Sequence, residues 1–434
     1  MDKMADVLGR AGAWCGQNKY LSAIKNAFQN FMPLTIAGAI GVLWCNVLVN
    51  ESTGLGIFFK PIMALEFLNP AFQAVNFCTI SCITVGITLG IAQEIGIWNM
   101  GAEKAGYIPG LVGLAAWLSV TNTSHMVEGA KDAFTGIAGN ELGATGLFTG
   151  MIIGILSVEL FCFFEKQDAL KIKMPEQVPP GVARAFEVLV PATITLIITA
   201  CIGSACYNLT GLYLNDVIKN GIQGPLGAVG ATIPGVMIIY LVIMLFWLVG
   251  IHGNNMLSAV KEALFTPLAL ENVEAFNKGE TPKNIINMYF LQMCGEFGGS
   301  GVTIGLVIAI MIFGKREDNK AIASLSLVPG LFNINETVTF GIPMVLNPIL
   351  GIPFVFACLV TILVGYVLTV IGFCPVACLT VPWTTPPIVF GFLACGANVM
   401  GAVTQAILIV VSTVIYVPFL ISYEKYQNKQ AAEA

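Results

Sequence analysis

This sequence has very few charged residues. Asp, Glu, Lys and Arg make up 10% of the 434 residues, whereas about a quarter of an ordinary soluble chain is charged. Hydrophobic residues make up 56%, and from Thr337 to Tyr423 there is no Asp, Glu, Lys, Arg or His at all. This scarcity excludes an ordinary soluble domain. It predicts an all-α polytopic membrane protein whose apolar runs cross a lipid bilayer.

Arginine is especially scarce. The chain has Arg10, Arg184 and Arg316 and no other arginine, and all three lie in predicted loops. The net charge is -5, so no basic surface is left over for nucleic acid, which is not an expected partner. Because the apolar stretches hold no basic residue, we expect a neutral polar ligand rather than an anionic one.

We expect neither a cleavable signal peptide nor a redox or metal motif. Charged residues precede the first long apolar run, which starts near Phe31, so no cleavable signal peptide is expected. The 12 cysteines include no C-x-x-C pair, and the closest pairs, Cys78/Cys82 and Cys374/Cys378, have helical spacing. We therefore predict that the cysteines are small buried side chains, and we expect neither a bound metal nor a cofactor.

The lengths of the charge-free intervals predict about ten transmembrane helices. Asn26–Asn50 is the first such interval, and charged loops separate it from those that follow. The loop Glu165–Arg184 carries four basic residues, and basic residues also lie near each terminus, such as Lys19 and Lys25 at one end and Lys425 and Lys429 at the other. The positive-inside rule therefore places this loop and both termini in the cytoplasm. Residues 1–28 have apolar side chains at roughly helical spacing, which is typical of an amphipathic helix on the membrane surface.

Polar motifs are concentrated in the second half of the chain. We therefore predict a scaffold or dimerisation half, 1–215, and a substrate-binding half, 216–434, with about five spans each. Glycine and proline interrupt apolar sequence near 251–300 and 327–350. We predict that these two segments are broken helices or re-entrant hairpins, which are tolerated at membrane depth only where protein or a watery cavity satisfies the backbone.

Candidate ligand-binding residues come from three polar motifs in this half, Gly250–Asn255, Gly295–Gly301 and Asn333–Glu336. An ionisable side chain in apolar sequence is costly, so Glu336 is the leading functional candidate. Glycine lets backbone approach a ligand, and an aromatic ring suits the apolar face of a sugar. The predicted substrate-binding residues are Trp247, His252, Asn254, Glu296, Gly298, Gly299, Asn335, Glu336 and Trp383.

These residues also have a structural interpretation. His252 and Glu336 would then be polar side chains satisfied within the protein. Glu296 would be a loop acid at the membrane interface, and the two tryptophans would belong to an interfacial aromatic belt. The functional interpretation is favoured for His252 and Glu336, because a histidine, carboxylates, amides and open backbone together are suited to hydrogen-bond many hydroxyls.

Short motifs carry a resemblance to a known family: Gly250-Ile-His-Gly253, Gly298-Gly-Ser-Gly301, Asn335-Glu336, Phe340-Gly-Ile-Pro343 and Asn347-Pro348. Through them the chain resembles enzyme IIC, the membrane-embedded sugar transporter of the bacterial phosphotransferase system, in its lactose/cellobiose/chitobiose branch. The likeness extends over essentially the whole chain. Taken together the motifs are specific, although each of them alone is a weak signal.

The resemblance implies a homodimer in the bacterial inner or plasma membrane, surrounded by lipid and joined mainly through its first half. It implies that His252 and Glu336 hydrogen-bond a neutral disaccharide of the cellobiose, chitobiose or lactose type, with Glu336 near the hydroxyl to be phosphorylated. The phosphoryl group would come from a cysteine of a IIB protein. We expect IIB to be a separate chain, since the sequence ends at Ala434 without such a domain, and to dock near Lys166–Arg184 and Lys261–Lys283.

Two functions stay open. In the first, the substrate half moves against the scaffold half, carries the sugar inward and presents its hydroxyl to the phosphocysteine. Glu336 and His252, the expected catalytic residues, would accept or orient the hydroxyl proton. In the alternative, the protein is a proton-coupled secondary sugar transporter with Glu336 as proton carrier. Whether the chain counts as an enzyme stays open, since transfer needs IIB and no metal cluster, nucleophile triad or nucleotide loop is visible.

Overall fold

The computed structural model describes residues 17–51, 59–125, 134–175, 177–342 and 344–433, together with residues 10, 13, 14 and 56. At residues 228, 229 and 431 it describes the backbone alone. The predicted surface helix over 1–28 falls largely outside these residues, as does Pro343 of the quoted motifs. The end of that predicted stretch belongs to a longer helix, Lys19–Leu43, which continues into apolar sequence.

The first part of the chain is almost entirely helical. A helix satisfies its backbone N–H and C=O groups within its own segment, which lipid cannot do. Prolines in the first turn, such as Pro109 and Pro180, begin helices at little cost because their missing N–H would be unpaired there. In chain order the elements are α1 (Lys19–Leu43), a π-helix (Trp44–Leu48), a 3-10 helix (Lys60–Leu68), α2 (Asn69–Asn76), a π-helix (Phe77–Ser81), α3 (Ile83–Met100), α4 (Ala102–Ala105), α5 (Ile108–Val120), β1 (Ser124–His125), β2 (Phe134–Thr135), α6 (Gly139–Leu142), α7 (Ala144–Glu165), a 3-10 helix (Asp168–Leu170), α8 (Pro180–Thr210), α9 (Leu214–Ile218), a π-helix (Lys219–Gln223) and α10 (Gly224–Gly230).

The second part has shorter and more broken helices. Residues with positive φ interrupt it, among them Gly250, Gly298 and Asn333. The elements are α11 (Ile233–Leu248), α12 (Gly253–Met256), α13 (Ser258–Asn277), α14 (Met288–Gly295), a 3-10 helix (Ser300–Val302), α15 (Ile304–Phe313), α16 (Glu317–Leu331), α17 (Glu336–Gly341), α18 (Gly351–Val370), α19 (Val389–Ala394) and α20 (Val399–Glu433).

The described chain packs into two compact units. One comprises Gln17–Gly38 and Val75–Gly227, and the other contains Ala39–Ala74 and Ala228–Ala434. The functional division predicted at residue 215, into a dimerisation half and a substrate half, stays a prediction. All of the predicted site residues lie in the second of these units.

Small residues bring the helices of the first unit close together. A Cβ added to Gly113 on α5 would lie 2.3 Å from the Cβ of Ala92 on α3, so these two helices meet at their backbones. Beside this contact, Trp117, Val120 and Ile153 belong to a buried apolar cluster. The unit is therefore held by close helix packing around small and aromatic side chains.

Five of the described helices are long and apolar enough to cross a membrane, and seven spans result if each of two bent helix pairs counts as one. The bends are 42° between Lys60–Ser81 and Ile83–Met100, and 59° between Met288–Val302 and Ile304–Phe313. The helices Ile108–Val120 and Ile233–Leu248 are apolar but shorter. The estimate of about ten spans differs from this number because several apolar runs fold as short or broken helices.

The predicted fold class is confirmed: the chain is a helical membrane protein. Within the described residues, the strands are limited to one antiparallel pair of two residues each, in which Ser124 faces Thr135 and His125 faces Phe134. Near 327–350, helix α16 ends at Leu331 and α17 begins at Glu336. The helical structure is therefore interrupted directly before Glu336, the leading candidate residue.

Candidate functional site

His252 lies in the turn between α11 and α12. Gly250 has a φ of 81°, a backbone conformation that suits glycine, and it lets the chain turn after α11. The Nδ1 atom of His252 accepts a hydrogen bond of 3.2 Å from the backbone N–H of Asn255, so the imidazole caps α12. A neutral imidazole that accepts at Nδ1 carries its proton at Nε2. The ring therefore presents an N–H donor on its other side.

Glu336 is the group that this donor meets. The Nε2 atom of His252 lies 3.8 Å from Oε1 of Glu336, and the two side chains are 38% and 48% exposed. The separation is longer than a direct hydrogen bond. A ligand hydroxyl at about 2.8 Å from each atom would fit beside the pair, donating to the carboxylate and accepting from the imidazole.

Asn335 and Gly299 bring the second and third motifs together. Asn335 is buried, and its Nδ2 donates to the carbonyl of Ser300 at 2.9 Å and to Oγ1 of Thr339 at 3.2 Å. Gly299 has a φ of 86°, and a Cβ added to it would lie 2.5 Å from the Cβ of Asn335. Both predicted residues therefore lie at a close backbone contact directly beside Glu336.

Asn333 was not predicted as a site residue, although it lies in a quoted motif. Its φ is 65°, which asparagine tolerates better than most residues. Its Oδ1 accepts from the N–H of Gly298 at 2.6 Å, and its Nδ2 donates to the carbonyls of Trp383 and Thr385. This amide joins the Gly298 turn to the segment that carries Trp383.

The two predicted tryptophans have different environments. Trp383 is 44% exposed, so part of its ring is accessible to a ligand. Trp247 is 2% exposed; its ring centroid lies 4.4 Å from that of His252 and 6.5 Å from that of Phe354. In this conformation Trp247 packs against the imidazole, and Trp383 offers the accessible aromatic surface.

Glu296 and Asn254 surround a residue that the sequence did not single out. The ammonium of Lys261 contacts Oε1 of Glu296, which also accepts from the hydroxyl of Tyr240 at 2.7 Å. Lys261 was placed in a polar cytoplasmic segment, but it is 6% exposed on α13. A buried basic residue therefore lies beside two of the predicted site residues. Helical periodicity could not have found it, because the helix breaks between α12 (Gly253–Met256) and α13 (Ser258–Asn277).

Together these features define a helical membrane protein with a polar site built at broken helices. The comparisons with known proteins agree. Residues 25–358 match the family model described as Phosphotransferase system, EIIC. The chain is 33% identical over 429 residues to the oligo-beta-mannoside-specific EIIC component of the phosphotransferase system from Bacillus subtilis (strain 168), covering 98% of this chain and 94% of that protein. It is 29% identical to the cellobiose-specific EIIC component from Lactococcus lactis subsp. lactis (strain IL1403), covering 98% of each chain.

A solved structure is also similar. The transporter ChbC, the IIC component from the N,N'-diacetylchitobiose-specific phosphotransferase system, matches with a TM-score of 0.88 at 29% identity, covering 97% of each chain. The chain therefore belongs to the EIIC family of the phosphotransferase system, and the resemblance stated from its motifs is confirmed.

Proposed function

We propose that this protein binds a neutral disaccharide of the cellobiose, chitobiose or lactose type, carries it inward across the membrane, and presents one hydroxyl for phosphorylation. The observation that supports this most directly is the pair of His252 and Glu336, a donor and an acceptor 3.8 Å apart on half-exposed side chains. The relatives named for oligo-beta-mannoside, cellobiose and N,N'-diacetylchitobiose support a neutral sugar of this class.

The proposed sugar site combines polar groups with an aromatic surface. Glu336 and His252 bind the hydroxyl to be phosphorylated, and the accessible ring of Trp383 packs on an apolar sugar face. Asn335 and Gly299 hold Glu336 in place through their close contact. Because Trp247 packs on His252 in this conformation, its predicted role as a second sugar platform would require its indole to become accessible.

The proposed chemistry is in-line phosphoryl transfer from a cysteine of a separate IIB protein. The sugar oxygen attacks phosphorus, the S–P bond breaks and the O–P bond forms, and the cysteine leaves as a thiolate. Glu336 accepts the hydroxyl proton or orients it, and His252 orients the hydroxyl through its Nε2–H. The product carries negative charge beside Glu336, and repulsion by its carboxylate, once any accepted proton has left it, favours release.

The assembly is also a proposal. We propose a homodimer with cytoplasmic termini, joined mainly through residues 1–215. In that region little of helix α8 is buried, and Leu189, Ile197 and Ile202 are among its exposed apolar side chains. Exposed apolar side chains of this kind suit lipid or a second copy of the chain.

The test uses purified protein in sealed vesicles with a IIB protein, its phosphoryl donor and labelled cellobiose or N,N'-diacetylchitobiose. Sugar phosphate should appear on the side that holds IIB, and no transported product should form without the donor. The proton-coupled alternative makes the opposite prediction. Unmodified sugar would then accumulate without IIB, and a protonophore would abolish the accumulation.

A further inference from the structure

Lys261 is the one lysine or arginine that is buried among the residues described in the structure. An ammonium group removed from water is costly unless charged and polar partners surround it. Its charge is balanced by Glu296, with Tyr240 donating to the same carboxylate oxygen. The next residue, Glu262, accepts from Thr266 at 2.5 Å. The cluster around Lys261 is thus a built polar network within the second unit.

This network extends from Lys261 to the candidate site. The ammonium also donates to Oδ1 of Asn254 at 3.4 Å. With its oxygen held there, the amide of Asn254 directs its Nδ2 to Oγ of Ser300, at 2.9 Å. The carbonyl of Ser300 in turn accepts from Nδ2 of Asn335 at 2.9 Å.

Both members of the site pair are attached to this network. Asn254 belongs to α12, the short helix that His252 caps. Asn335 directly precedes Glu336. The position of His252 relative to Glu336 therefore depends on the contact between Asn254 and Ser300. The Lys261 ammonium selects the orientation of the Asn254 amide in this contact.

We propose that Lys261 is a positioning residue for the sugar site. It acts through Asn254 and Glu296 and does not touch the sugar. By fixing the amide of Asn254, it keeps α12 in contact with the segment Ser300–Asn335. This contact holds His252 and Glu336 at the distance that binds one hydroxyl. The inference rests on the proposed function. It adds Lys261 to that function as a residue whose charge positions the site.

The test measures binding of cellobiose and N,N'-diacetylchitobiose to the purified full chain by calorimetry. Lys261→Met should weaken binding of the sugar that the unsubstituted protein binds by about tenfold, whereas Lys261→Arg should stay within about threefold of it, because residues in one network couple at this scale. Lys278→Met is the matched control: it removes an exposed lysine on the same stretch of chain, paired only with Glu274, and it should change nothing.

A double variant tests whether Lys261 acts through Asn254. Asn254→Ala should weaken binding similarly, and Lys261→Met added to Asn254→Ala should produce no further loss, since both changes break one contact. Losses that multiply in the double variant, or an unchanged affinity in Lys261→Met, would overturn the proposal.

A second comparison guards against misfolding from an unpaired buried charge. Lys261→Met/Glu296→Gln leaves neither charge, and it should still bind the sugar about tenfold more weakly than Glu296→Gln. Equal affinities would show that Lys261 is only a counter-ion, which would overturn the proposal. If the unsubstituted protein binds neither sugar, the proposed function itself fails, an outcome distinct from any result with the variants.

Discussion

The Nε2 atom of His252 lies 3.8 Å from Oε1 of Glu336, although a long stretch of chain separates the two residues. One caps the short helix α12 and the other begins α17. Two helix ends thus present a donor and an acceptor toward each other. Because each side chain stays partly exposed, the pair is available to bind a hydroxyl group.

Replacing Glu336 by Gln keeps the size of the side chain and removes its charge. We expect disaccharide affinity to fall by about tenfold, because a hydrogen bond to a charged group contributes about 1.5–3 kcal/mol. The discrimination against the sugar phosphate should narrow, since the repelling carboxylate is gone. Calorimetry with both ligands measures the two effects. Glu317→Gln, at an exposed helix start, is the control, and an unchanged ratio of the two affinities would show that repulsion does not drive release.

Adding a methyl group at Gly299 should separate Asn335 from the Gly298 turn. Gly299 combines a φ of 86° and a ψ of -175° with a position 2.5 Å from the Cβ of Asn335. Gly299→Ala should therefore cost about 3 kcal/mol of stability or more and abolish measurable disaccharide binding.

Gly279→Ala is the matched control for this substitution. Gly279 also has a positive φ, 73°, but nothing lies within 4 Å of an added Cβ. It should cost about 1 kcal/mol and leave binding intact. Thermal unfolding and calorimetry on both variants compare backbone strain alone, at Gly279, with backbone strain plus a steric clash with Asn335, at Gly299. Similar behaviour of the two would mean that the close contact with Asn335 is unimportant.

Asn333→Ala should loosen the Trp383 segment. The substitution leaves the N–H of Gly298 and the carbonyls of Trp383 and Thr385 without their amide partner, and each such hydrogen bond contributes about 0.5–1.5 kcal/mol. We expect a lower melting temperature and weaker disaccharide binding. Asn398→Ala removes an exposed amide that caps α20 locally through Met400, and it should keep the full affinity. Wild-type affinity in Asn333→Ala would argue against its role in the site.

Trp383→Ala should weaken disaccharide binding by about tenfold, because an accessible indole that covers a sugar face contributes on the order of 1 kcal/mol or more. Trp98→Ala removes another exposed tryptophan, in the first unit, and it should have no effect on affinity. Quenching of tryptophan fluorescence by the sugar should be largely absent in Trp383→Ala. Quenching that persists in Trp383→Ala would assign the sugar contact to a different tryptophan.

Much of this protein could be predicted from its sequence. The low charge and the apolar run from Thr337 to Tyr423 predict helices in a membrane, because lipid offers the backbone no hydrogen-bonding partner. An acid in such sequence indicates a functional group, so Glu336 could be singled out without coordinates. The motif around His252 and Gly253, together with four others, indicates the family, and the family model confirms it.

The tertiary structure decided what packing between distant segments controls. Lys261 appeared to open a polar loop, and only the elements packed around it show that it is buried and paired with Glu296. Trp247 and Trp383 read alike in sequence, yet one is enclosed and the other accessible. The sequence by itself determines which segments are compatible with lipid, because this compatibility is a property of each side chain. Burial and pairing depend on neighbours that folding brings from far along the chain, and these contacts position the groups of the site.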